Sequence, residues 1–454
     1  MEKKHIAVIV FPFGSHPVTL LNLVLKLAHA SPNSLFSFIG TEHSNNPLFS
    51  NPHRHKIPHN IKPYNVADGV PEGHVPGGHP VERVNLFLQA GAENLLKGVE
   101  LAQTGEQQRI TCIIADPFVT PSLIVAQKLN VPWIAVWSPL SCSISAHFYT
   151  DLVRKECNAA ENGARNRALD FLPGLSMMKV EDLPDDVVSS GGEHETLFSK
   201  TLASLGRVLP QAKAVVINFF EELDPPVFVQ DMRSKLQSFL FVGFLTLSLP
   251  LAPLPPSETD ETGCLSWLDN QDASSVAYIS FGTVVTPPPH EIVAVAEALE
   301  QSGFPFLWSM KDHLKSLLPN GFIERTKNSG KIVPWAPQTQ ILGHESVGVF
   351  VTHCGCNSVF ESISNGVPMI CRPFFGDHGM AGRIIEDIWE IGVKIEGGVF
   401  TKDGLVKSLN LILVQEEGKI MREKAQKVKK TVLDAAGPQG KATQDFKTLV
   451  GIVS

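Results

Sequence analysis

No run of about 18 apolar residues occurs anywhere in this 454-residue chain, so none of it is expected to span a membrane as a helix. It has no Asn-x-Ser/Thr triplet, and its seven cysteines are odd in number and lack zinc-type pairing. A reducing, cytosolic setting is the expectation. The opening MEKKHIAVIVFPFGSHP is basic, but its apolar run is short and ends in Pro and Gly, which reads as a first buried strand rather than a secretory leader. No two glycines stand at Gly-x-Gly spacing, which removes the dinucleotide fingerprint and with it a nicotinamide or flavin oxidoreductase. A net charge of −8 argues against nucleic acid or an anionic membrane as partner. What remains is ordinary globular composition, 43% apolar and 19% charged, with length for two or three domains and little reason to expect disorder.

The chain alternates short β-branched apolar runs with helical periodicity. Strands are expected at 5–11, 35–40, 110–116, 132–137 and 214–220, with helices at 18–30 and 81–102. A second series has strands at 275–281, 305–310, 331–333, 348–353 and 368–371, and helices at 291–302 and 419–434. Such β-α alternation implies parallel sheets with right-handed crossovers. Between the two series, residues 244–262 are rich in Pro, Ser and acids and read as a linker. The stretch 153–195 has no clear pattern.

Residues 335–378, WAPQTQILGHESVGVFVTHCGCNSVFESISNGVPMICRPFFGDH, are the most informative part. The strand VGVFVT leads through Gly355 into a helical pattern, with Asn357 and Ser358 expected as its capping start. A strand feeding a helix N-terminus is an anion site, because free N–H groups and the helix dipole both favour negative charge. Screening limits the distant surface charge to about 8 Å, so this local field outweighs the overall −8 for a bound anion. His353 lies beside that site. Glu361, one turn into the helix, can accept hydrogen bonds from a pair of sugar hydroxyls, and Trp335 offers a flat face for a base.

In a doubly wound sheet, function gathers at the carboxyl ends of strands. His16 follows the first strand and Asp116 closes the strand ITCIIAD at the same edge. Imidazole is the side chain that takes a proton near neutrality, and a carboxylate on its far nitrogen fixes the tautomer and stabilises the imidazolium.

The segment 335–378 resembles the donor-binding signature of plant secondary-product glycosyltransferases that use UDP-sugars. It matches at Trp335, Ala336, Pro337, Gln338, His353, Gly355, Asn357, Ser358, Glu361, Gly366, Pro368 and Asp377. The resemblance implies a GT-B fold, two doubly wound Rossmann-like domains facing across a cleft. The domains would be 1–245 for the acceptor, a linker 246–262, 263–440 for the UDP-sugar, and a helix at 441–454 returning to the first. It further implies that Trp335 stacks on uracil, Gln338 lies near the ribose and Glu361 binds the ribose hydroxyls. His353, Asn357, Ser358 and Thr283 would meet the diphosphate, and Asp377, His378 and Ser138 the sugar. FPFGSHP and ADPF are similar to the family's catalytic His and its orienting Asp, making His16 the base of an inverting displacement that uses no metal or other cofactor. The chain also lacks the Asp-x-Asp triplet by which other glycosyltransferases grip a divalent metal.

Two positions depart from the commonest pattern. His378 stands where glucosyltransferases have Gln, and His there accompanies galactose, sometimes arabinose. Cys356 stands where Trp is nearly invariant. DGVPEGHVPGGHPVE and TPPPHEIVAVAEALE are most similar to the flavonoid 3-O-glycosyltransferase branch, although Val81 replaces one relative's polar anchor. A flat polyphenol needs an apolar, aromatic slot, for which Phe13, Phe118, His147, Phe198 and Phe375 are candidates. The expected reaction is transfer of a sugar, galactose first and glucose or arabinose otherwise, to the 3-hydroxyl of a flavonol or anthocyanidin. A nucleotide-sugar-binding protein without turnover is the competing class.

Overall fold

The computed structural model describes residues 4–50, 57–77, 80–158, 164–188 and 195–453. The chain divides into two compact units. One holds Met1–Ser176, Asp185–Thr246 and Ala435–Ser454; the other holds Met177–Pro184 and Leu247–Asp434.

Among the described residues, the first unit carries a seven-stranded sheet. Its strands are β1 His5–Ile9, β2 Leu35–Thr41, β3 Ile61–Val66, β4 Cys112–Ala115, β5 Trp133–Trp137, β6 Ala214–Ile217 and β7 Phe239–Phe241. They lie in the order β3-β2-β1-β4-β5-β6-β7, all parallel. The central strands are buried along their whole length, which is why they read as continuous apolar runs. The order reverses between β1 and β4, so the loops leaving these two strands diverge to opposite faces and leave a crevice at their carboxyl ends. The helix His16–Ala30 follows β1, packing Leu20, Leu23, Val24 and Leu27 into the core.

The second unit repeats the plan with six strands: β8 Val276–Ser280, β9 Phe306–Ser309, β10 Gly330–Val333, β11 Val347–Thr352, β12 Met369–Cys371 and β13 Gly392–Lys394. The order is β10-β9-β8-β11-β12-β13, again all parallel, with the reversal between β8 and β11.

Several details add to this layout. The helix Pro80–Glu106 is interrupted at Gly91, whose φ of 63° and ψ of −160° only glycine adopts readily. In the stretch 153–195 the described residues form the end of a helix Thr150–Asn158 and short turns at Val180–Asp182 and Asp185–Val188; residues 159–163 and 189–194 lie outside the described set. Residues 247–262 count with the second unit. There Asp260 accepts the N–H groups of Cys264 (2.7 Å) and Leu265 (3.0 Å), which ties the proline-rich segment to the helix Cys264–Leu268. The helix Lys441–Val453 packs Leu449 and Val453 into the first unit's core. Its Asp445 accepts the Phe241 N–H of edge strand β7 at 2.8 Å, and Lys441 pairs with Glu221 at 2.7 Å.

Candidate active site

At the reversal point of the first sheet, His16 is the first residue of its helix and Asp116 follows β4 directly. The Asp116 N–H continues the ladder to the Ile9 carbonyl at 3.0 Å, so backbone pairing fixes the carboxylate's origin. His16 Nδ1 lies 2.6 Å from Asp116 Oδ2, and the Phe118 N–H donates to Asp116 Oδ1 at 3.0 Å. Asp116 is buried and His16 keeps partial exposure. A carboxylate cannot donate, so Nδ1 carries the hydrogen and Nε2 presents its lone pair. That is the arrangement of a general base.

Aromatic rings surround this pair. Phe11 lies 5.0 Å from His16 and Phe118 lies 5.2 Å from it, centroid to centroid. Phe198 stacks on Phe11 at 5.7 Å, and Phe13 meets Phe11 at 5.0 Å. His147 packs on Trp137 at 5.5 Å and on Phe118 at 6.2 Å. Burial pushes the His147 imidazole down to about 4, so it stays neutral, and its Nδ1 has no hydrogen-bond partner among the described residues. Phe13, Phe118, His147 and Phe198 therefore gather around His16 in one unit. Phe11 and Trp137 belong to the same cluster and went unnoticed in the sequence, because each lies at the end of a strand run that reads as core. Ser138, just past β5, also belongs to this unit, where its carbonyl accepts from Asn218 at 3.1 Å.

The other donor-side candidates lie in the second unit, at its own reversal point. The helix Cys356–Asn365 starts one residue before Asn357 and is capped by Gly355 with no side-chain bond, which corrects the expected capping by Asn357 and Ser358. The dipole of this ten-residue helix places partial positive charge at its N-terminus, which favours an anion there. Cys354 holds a left-handed φ of 66°, which turns the chain sharply from β11 into this helix. His353 sits between two glycines: a Cβ on Gly355 would lie 2.4 Å from its Nε2, and one on Gly282 would lie 2.9 Å from its Cε1. Burial, with His378 adding to it, pushes His353 down to about 3. At neutral pH it offers an N–H dipole rather than a positive charge.

The helix's second turn carries a dense polar network. Gln338 Nε2 donates to Glu361 Oε2 (2.5 Å) and to Ser358 Oγ (3.0 Å), and Thr339 Oγ1 donates to Glu361 Oε1 (2.5 Å). Burial raises the Glu361 carboxyl above its ordinary range. Tyr278 donates to Gln338 Oε1 at 3.1 Å, which sets the amide's orientation. Beside this network a cavity of about 240 Å³ is lined by Phe281, Thr283, Trp308, Lys311, Trp335 and Gln338. Trp335 is 65% exposed, with its face available, while Ala336 is buried behind it. Lys311 Nζ donates to the exposed Thr283 carbonyl at 2.8 Å. Tyr278, Thr339 and Lys311 were missed, since each is unremarked within its strand, helix or loop.

Asp377 stands at the N-cap position of the short helix His378–Arg383 without a side-chain cap bond. The buried His378 ring stands edge-on to His353 at 5.0 Å and tilts against Phe375 at 4.6 Å. Phe375 is exposed and belongs to this unit rather than to the His16 cluster. His378 is pushed down to about 4 by burial, and its Nδ1 lacks a partner among the described residues. Beside Asp377, Cys356 has its thiol driven up by burial, so it stays protonated. Among the described residues no three His, Cys, Asp or Glu side chains cluster as metal ligands would, and no helix is long and apolar enough to cross a membrane.

Two parallel-sheet units, a His–Asp pair and an anion-ready helix start beside an exposed Trp define a nucleotide-dependent transferase of GT-B type. The chain belongs to the family described as UDP-glucoronosyl and UDP-glucosyl transferase, whose profile matches residues 80–429. It is 50% identical to the anthocyanidin 3-O-galactosyltransferase 3GT1 of Rhododendron delavayi, over 99% of this chain and 97% of that one. It is 45% identical to the anthocyanidin 3-O-glucosyltransferase UFGT of Vitis vinifera, with the same coverage. The crystal structure of a UDP-glucose: anthocyanidin 3-O-glucosyltransferase in complex with UDP is 61% identical, covers 100% of this chain and 99% of its own, and superposes with a TM-score of 0.93.

Proposed function

We propose that this enzyme transfers a sugar, galactose in preference to glucose, from its UDP-sugar to the 3-hydroxyl of a flavonol or anthocyanidin. The observation that carries the reading is the 2.6 Å His16–Asp116 pair inside an aromatic cluster. A flat polyphenol lies against Phe11, Phe13, Phe118 and Phe198. His16 Nε2 takes the hydroxyl proton as the oxygen attacks the anomeric carbon from the side opposite UDP. The C–O bond to the diphosphate breaks, configuration inverts, and Asp116 stabilises the imidazolium. Base assistance of this kind contributes about 10² to 10⁴ in rate.

Uracil stacks on Trp335, and the ribose hydroxyls share Glu361 with Gln338 and Thr339. The departing diphosphate is met by the positive end of the dipole of the helix Cys356–Asn365 and by His353, so the proposed reaction needs no divalent metal. Galactose and glucose differ only in the orientation of one hydroxyl. A neutral His378 offers one donor and one acceptor in a plane, where glutamine would offer a flexible amide, and this supports the galactose preference.

The test is turnover of quercetin with UDP-galactose, UDP-glucose and UDP-arabinose, on the wild type and on His378→Gln. Faster turnover with UDP-galactose, shifting toward UDP-glucose in the variant, is expected. A wild type that prefers UDP-glucose rejects the galactose assignment, and UDP binding without turnover on any donor rejects catalysis.

A further inference from the structure

The residue that reads the sugar stands on a short helix whose other end is clamped. His378 opens that helix and Arg383 closes it, just before a π turn at Ile384–Ile388. The Arg383 guanidinium grips Asp182 with two prongs, Nε to Oδ2 at 2.8 Å and Nη2 to Oδ1 at 3.2 Å. It also donates to Asp387 at 2.7 Å and to Glu181 at 3.3 Å. Lys394 adds a 3.2 Å contact to Asp182, and the Lys179 N–H donates to the same carboxylate at 2.9 Å. Asp182 is 2% exposed. It comes from Met177–Pro184, the only early segment assigned to the second unit. The approach is close in the backbone too: a Cβ on Gly379, the residue after His378, would lie 2.5 Å from the Asp182 carbonyl oxygen.

A two-pronged, buried ion pair with further partners on each side holds geometry more tightly than a single contact. It fixes the helix from Gly379 at one end to Arg383 at the other, and therefore fixes where the His378 ring projects between His353 and Phe375. We infer that Asp182 is a positioning residue for donor-sugar selection: through Arg383 and Gly379 it holds His378 in register with the hexose. This rests on the proposed role of His378 at the sugar. Selection between two epimers turns on displacements of a fraction of an ångström, and misplacement of about 1 Å costs up to about 100-fold in rate.

The experiment uses the full chain, with Asp182→Asn and Arg383→Lys compared to wild type. Asp182→Asn keeps the shape and removes the charge; Arg383→Lys keeps the charge and removes the fork. Three quantities are measured: UDP affinity by calorimetry, kcat and KM for each UDP-sugar, and the ratio of galactose to glucose turnover. The expected result is UDP affinity within about twofold of wild type, kcat/KM for the preferred donor lowered about tenfold, and a donor ratio moved at least about threefold in both variants. A donor ratio equal to wild type in a variant that still binds UDP overturns the inference, whatever happens to thermal stability. Should Asp182→Asn not fold, Arg383→Lys alone decides in the same way. A wild type that shows no transfer, or a His378→Gln that leaves the ratio unchanged, instead refutes the underlying reading of the site.

Discussion

Replacing Gly355 by alanine tests the diphosphate site through a single methyl group. The Gly355 backbone, with φ −62° and ψ 138°, suits any residue, so alanine introduces no backbone strain. Its Cβ, however, would stand 2.4 Å from His353 Nε2 and 3.1 Å from two further ring atoms. Ordinary contact begins near 3.4 Å, so the imidazole must retreat by about 1 Å. Gly282 leaves little room on the other side, where a Cβ would already meet the ring at 2.9 Å, and the His378 ring stands edge-on at 5.0 Å. Overpacking of this kind costs about 1–3 kcal/mol of stability. On the proposed role of His353, its displacement loses a bond to a charged phosphate, about 1.5–3 kcal/mol, or roughly 10- to 150-fold in UDP affinity. Calorimetric titration with UDP, run beside thermal unfolding, separates the two effects. A folded Gly355→Ala protein whose UDP affinity stays within about threefold of wild type would refute the role given to His353.

Three other predictions are simpler. His16→Ala should lower kcat by about 10² to 10⁴ while UDP binding is retained, and Asp116→Asn should lower it in the same sense; retained turnover in rapid-quench assays would remove the base from His16. Trp335→Ala should weaken UDP binding by about tenfold, the scale of one base–aromatic stack, with an unchanged melting temperature because the ring is largely exposed. Burial lowers His147 to about 4, against an ordinary value near 6.5, so the unfolded chain binds a proton that the folded chain does not. Stability should then fall as pH drops from about 6.5 to about 4, by up to about 1.4 kcal/mol per pH unit from this residue, and level off below. Urea unfolding across that range should show a shallower slope in His147→Gln, and an identical slope would contradict the burial argument.

The sequence made the buried centre of each sheet legible and left the margins dark. Strands such as β1, β4, β8 and β11 are covered on both faces, so their apolar runs are unbroken. The strands not anticipated, β3, β7 and β13, all lie at sheet edges. β3 is IKPYNV, half exposed and carrying a proline, and β7 and β13 have three residues each. The same contrast holds at the site. His16, Asp116 and the 353–378 signature announce themselves because their spacing to a strand end is chemical. Tyr278, Lys311 and Asp182 act through partners 60, 28 and 201 positions away in the chain, respectively Gln338, Thr283 and Arg383. No local pattern encodes such distances.

The packing of Leu449 and Val453 beneath β7 also has a temporal side. Translation reaches the end of the first sheet at residue 241, but the helix that completes this core arrives about 200 residues later. At about 5–20 residues per second, that is roughly 10–40 s during which the nascent sheet carries an open hydrophobic seam and an edge strand without its aspartate cap. A stall or stop codon before residue 441 would make that interval permanent. Shortened chains should accordingly be recovered as aggregates or bound to chaperones, even though they retain every side chain proposed for the site.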